Sequence, residues 1–95
     1  MGSMMHQAGY IYYYTRKLYR LDREIRSAHE DGRKYTSKSH SATTIDNRKA
    51  YQRKIEKAAK KYHELLRKRQ EVHGKIHEHL AGLARMIKLE AHLKL

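Results

Sequence analysis

The sequence predicts an all-α fold: an antiparallel helical hairpin with a long second helix, coiled-coil-like and oligomeric. Three observations predict it. Apolar residues recur at alternating steps of four and three in two separate stretches, which keeps them on one helical face. Proline is absent from all 95 residues, so nothing forces a helix to break. Ala, Leu, Lys, Arg, Glu and Gln, the strongest helix formers, dominate from residue 44 onward.

Taken in order, residues 1–5 are expected to stand outside the fold, because Met1-Gly2-Ser3 ahead of Met4 reads as the remnant of an expression tag. A first helix is expected over residues 6–30. Its seam is Ile11, Tyr14, Leu18, Leu21, Ile25 and Ala28. The run Tyr10-Ile11-Tyr12-Tyr13-Tyr14 is a poor helix former by propensity, yet the seam passes through it, and it is read as helical. Glu30-Asp31-Gly32 reads as a stop, with Gly32 in the left-handed conformation that closes helices. Residues 31–43 hold a cluster of hydroxyl side chains and no periodic apolar residue, and are expected to form a flexible polar loop.

Thr43 or Thr44 is expected to cap the second helix, which covers residues 44–95. Its seam is Tyr51, Ile55, Ala58, Tyr62, Leu65, Arg69, Val72 and Ile76. The spacing from Ile76 to Leu80 is four where three is due, which reads as a slip of phase. The helix is expected to run on through Gly74 or, broken there, to fold back as a three-helix bundle. A glycine inside a helix costs only about 1 kcal/mol, so the unbroken form is favoured. From Leu80 to Leu95 ten of sixteen residues are apolar, on more than one face. A helix that is apolar on two faces needs partners on two sides, so residues 76–95 are expected to form an oligomerisation or docking segment. Its contact residues would be Leu80, Leu83, Met86, Ile87, Leu89 and Leu93.

Charge supplies the functional signal. The formal net charge is +12, and residues 44–75 carry eleven Lys/Arg against four Asp/Glu, or +7 of it. Lys54, Lys61, Lys68 and Lys75 repeat one heptad apart beside the seam. A ridge of that kind attracts polyanions and can track phosphates. Its expected members are Arg48, Lys49, Arg53, Lys54, Lys57, Lys60, Lys61, Arg67, Lys68 and Lys75. Tyr12 and Tyr13, interleaved with Arg16 and Arg20, would add rings that stack on bases and guanidinium groups that hold phosphates.

The expected function is therefore non-enzymatic: binding of a polyanion, above all nucleic acid, through the Lys/Arg ridge, with assembly through the leucine-rich C-terminal helix. The partners would be nucleic acid or another acidic macromolecule, together with a second copy or a helical protein. The alternative is a protein–protein interaction module, such as a helical adaptor, a secretion or chaperone partner, or an inhibitor, docking through the apolar surface of residues 80–95. No catalytic residue is assigned. Carboxylates such as Glu56 and Glu64 lie among lysines at helical spacing, which suits solvated ion pairs better than acid–base work. No cofactor is expected. His73 and His77, four apart, are a weak candidate metal pair without a third ligand. Cysteine is absent, which fits the cytoplasm, and no run approaches the length needed to span a bilayer.

Overall fold

The structure is a computed structural model that describes residues 4–93, Leu93 by its backbone only. Those residues form two helices, α1 (Met4–Ser41) and α2 (Ile45–Leu93). Sequence and structure agree on an all-α chain with a longer second helix. That helix is continuous through Gly74, so the three-helix alternative does not hold. Residues 1–3, read as a tag remnant, lie outside the described residues, but Met4 and Met5 already belong to α1.

The main correction concerns residues 31–43. No loop forms there before Ala42, because α1 continues to Ser41. Gly32 does not take a positive φ; among the described residues no glycine does. Two features keep the helix going. The four–three spacing of α1 extends past Ala28 through Gly32, Tyr35, Ser39 and Ala42, all half-buried, so the inward stripe never ends. The hydroxyls that suggest a loop are also compatible with helix: Thr36 Oγ1 donates to the Gly32 carbonyl at 2.7 Å, one turn back. Thr15 does the same to Ile11 at 2.7 Å.

The helices resolve into two packed units. In the unit spanning residues 21–68, α1 turns into α2 through residues 42–44. The Ala42 amide donates to the Ser39 carbonyl at 3.3 Å. Thr44 caps α2 as expected, its Oγ1 accepting from the Asn47 amide at 3.2 Å. The two helix segments run antiparallel: His29 meets Tyr62 with ring centres 6.0 Å apart, while Tyr35, further along α1, meets the earlier Tyr51 at 6.5 Å. Leu21, Ala28 and Leu65 are buried in this unit.

The other unit pairs residues 4–20 with residues 69–93. Here too the segments are antiparallel, with Gln7 reaching Gly82 while Tyr10 stacks on His79. Val72 is its buried core residue. The seam of α2 does not slip after Ile76. It continues in register through His79, Leu83 and Met86, all half-buried, and Leu80 falls beside it, 44% exposed. The C-terminal segment is thus not wholly left over for assembly, since residues 4–20 cover one side of it.

Candidate nucleic-acid interface

In the 21–68 unit, α2 separates its two kinds of residue cleanly. Tyr51, Ile55, Ala58, Tyr62 and Leu65 turn inward, and Arg48, Lys49, Arg53, Lys54, Lys57, Lys60, Lys61, Arg67 and Lys68 are all exposed. At 100° per residue, Lys54, Lys57, Lys61 and Lys68 occupy the flank next to the seam, and Lys49, Arg53, Lys60 and Arg67 the outer face. One heptad is about 10.5 Å of helix, close to three steps of a nucleic-acid strand at 3.4 Å each. Fourteen Lys/Arg against seven Asp/Glu give residues 21–68 a net +7.

Not every expected contact is equally available. Arg48 folds back on the turn, its Nε donating to the Ala42 carbonyl at 3.2 Å. Lys68 lies 3.7 Å from Glu64, with both side chains at least half exposed, so water screens the pair and it contributes little to stability. The open centre of the ridge is the Lys54–Lys61 stretch. Two further cations join it, and sequence reasoning misses them because it places them in a loop. Lys34 and Lys38 stand on the last turns of α1, with their Nζ atoms 5.7 and 5.9 Å from the centre of the Tyr35 ring. Lys54 approaches the same ring from α2, at 5.1 Å. A helical α1 beyond Gly32 is the signal needed to find them.

The 4–20/69–93 unit holds the remaining expected contacts. Tyr12, Tyr13, Arg16, Lys17 and Arg20 line one shallow depression of about 240 Å³. The Arg16 guanidinium sits 5.8 Å from the Tyr12 ring centre, and Tyr13 meets Tyr14 edge-on at 5.1 Å. Tyr12 and Arg16 are both exposed, so ring and cation face solvent together. Lys75 is exposed on α2 and lies 3.6 Å from Glu78, again a screened surface pair.

The expected assembly residues divide. Leu83 and Met86 are half-buried seam residues, whereas Leu80, Ile87 and Leu89 are 44%, 52% and 61% exposed. Leu80 and Ile87, one heptad apart, share a flank, and Leu89 lies on another side of the helix. The Leu93 side chain is outside the described residues. His73 and His77 touch each other, their rings 4.6 Å apart and edge-on, and among the described residues no third His, Cys, Asp or Glu joins them in a metal-binding group.

By sequence spacing His79 is only a neighbour of that pair; the fold gives it a different place. It stacks on Tyr10 at 4.7 Å and on Tyr14 at 5.7 Å, and its Nδ1–H donates to Gln7 Oε1 at 2.7 Å. Among the described residues no helix is long and apolar enough to cross a membrane. Comparison with protein families, curated proteins and solved structures finds no match to the chain.

Proposed function

We propose that the protein binds a polyanion, nucleic acid in the first place, through the exposed basic side of its 21–68 unit, and that it self-associates through apolar residues of the other unit. The observation that carries the first half is the separation on α2: an inward seam without lysine, and a flank and outer face holding Lys49, Arg53, Lys54, Lys57, Lys60 and Lys61. Helix surfaces rich in lysine are often only solvated. A net +7 on 48 residues, with Lys34 and Lys38 converging from the facing helix, supports the binding reading.

Such binding is dominated by release of counterions from phosphates, so it depends steeply on salt and little on base sequence. Anisotropy of a labelled single-stranded oligonucleotide, measured from low to physiological salt, tests it. Affinity should fall by about two orders of magnitude or more across that range if four or more phosphates are contacted. Binding that ignores salt, or no binding at low salt, contradicts the reading.

A protein-docking module is the second reading, and one observation favours it. Of the ten large hydrophobic side chains exposed among the described residues, nine lie in the 4–20/69–93 unit, among them Met5, Tyr13, Leu80, Ile87 and Leu89. Scattered exposed hydrophobics are ordinary, but their concentration in one unit supports a docking reading. Both readings use the same residues there and differ in whether the partner is a second copy.

A further inference from the structure

The cluster around Tyr35 is unusual in its charge. Lys34 and Lys38, one turn apart on α1, and Lys54 on α2 all lie within 6 Å of the centre of one ring. Two ammonium groups at 5.7 and 5.9 Å from a common point are no more than about 11.6 Å apart, well within the Debye length of about 30 Å at 0.01 M salt. Their mutual repulsion is therefore incompletely screened at low salt. Among the described residues no carboxylate pairs with any of the three; the ion pairs of this helix hairpin fall elsewhere, as at Lys68. The electron-rich ring face, at about 0.5–1 kcal/mol per contact at an exposed site, holds the cations together against that repulsion. Tyr35 itself stacks on Tyr51 at 6.5 Å, so the half-buried ring lies against α2 with the three cations around it.

We infer that Lys34, Lys38 and Lys54 form a phosphate-binding clamp centred on Tyr35, drawing one charge set from each helix of the 21–68 unit. The inference rests on the polyanion reading above and names where a phosphate of that polyanion is held. A phosphate oxygen among three ammonium groups receives charge-assisted hydrogen bonds and removes their repulsion in the same step. Because the clamp joins α1 to α2, occupancy ties the two helices together near their turn. Anion binding should then raise stability, by mass action on the folded form.

The probe is inorganic tripolyphosphate, with sodium chloride of equal ionic strength as the control. In the native sequence tripolyphosphate should raise the thermal midpoint clearly beyond the chloride control, and should move the Tyr35 ring resonances in NMR. Lys34→Gln with Lys38→Gln should lose most of the rise. Lys54→Gln provides the same test from the other helix should that double variant fold poorly. Arg85→Gln with Lys88→Gln, two exposed cations of the other unit, should keep the rise.

A rise that survives the Lys34/Lys38 change, or unmoved Tyr35 resonances, overturns the clamp. Oligonucleotide binding weakened by Lys57→Gln with Lys60→Gln and Lys61→Gln but indifferent to the Lys34/Lys38 change overturns the clamp alone. Oligonucleotide binding absent from the native protein overturns the parent reading as well.

Discussion

His79 shows how much one side chain decides in a fold with so little interior. Only Leu21, Ala28, Leu65 and Val72 are buried among the described residues, and none of them completely. A half-buried imidazole held by two ring stacks and a hydrogen bond to Gln7 is therefore a principal contact of its unit. His79→Ala should lower stability by about 1–2 kcal/mol, combining the missing ring stacks with an orphaned Gln7 amide, as read by chemical unfolding. His79→Phe keeps the stack and should recover roughly half. An unchanged unfolding midpoint in both variants would show that the contact is incidental. The position is legible from the steps 72, 76, 79, 83 and 86; its polar identity hides it, because seam reading follows apolar residues and moves instead to Leu80.

At the scale of the element, the existence of both helices and the start of α2 at Ile45 are readable from periodicity, and the end of α1 is not. Gly32 with nearby Ser and Thr is a good stop signal locally. What overrides it is tertiary: Tyr35 stacks on Tyr51 of α2, Ser39 is half-buried, and Thr36 satisfies its hydroxyl within the helix. Propensity is a weak prior against such packing. Two glycines then make opposite predictions. A methyl group at Gly32 meets nothing within 4 Å, so Gly32→Ala should stabilise by about 0.5–1 kcal/mol through helix propensity alone. At Gly82 the same methyl comes within 3.2 Å of the Gln7 amide, which His79 holds in place, so Gly82→Ala should give a smaller gain or a loss. Thermal unfolding of the two variants side by side tests both. A destabilising Gly32→Ala would argue for a chain reversal at that residue and against α1 beyond it.

For the whole molecule, the distribution of surface matters more than the core. Apolar exposure gathers in the 4–20/69–93 unit, and the lysine ridge and clamp gather in the 21–68 unit. The charge bias is plain in the sequence, since charge is counted directly. The free apolar tail is overstated there, because periodicity alone cannot show that Leu83 and Met86 are half-buried in the unit that pairs residues 4–20 with residues 69–93. The side chains to test for assembly are accordingly Leu80 and Ile87. Leu80→Asp with Ile87→Asp should reduce the mass measured by light scattering to that of a single chain while leaving helical circular dichroism unchanged. A native protein that is already a single chain at high concentration would remove self-association from the proposal.

The polyanion reading meets its most direct test in the salt dependence of oligonucleotide binding, compared between the native protein and Lys57→Gln with Lys60→Gln and Lys61→Gln. Each phosphate of a single strand that is no longer neutralised should flatten the logarithmic slope by about 0.7. The triple change is therefore predicted to flatten it by about 2 and to weaken binding alike for unrelated base sequences. An identical slope in the two proteins would contradict the ridge as the binding surface.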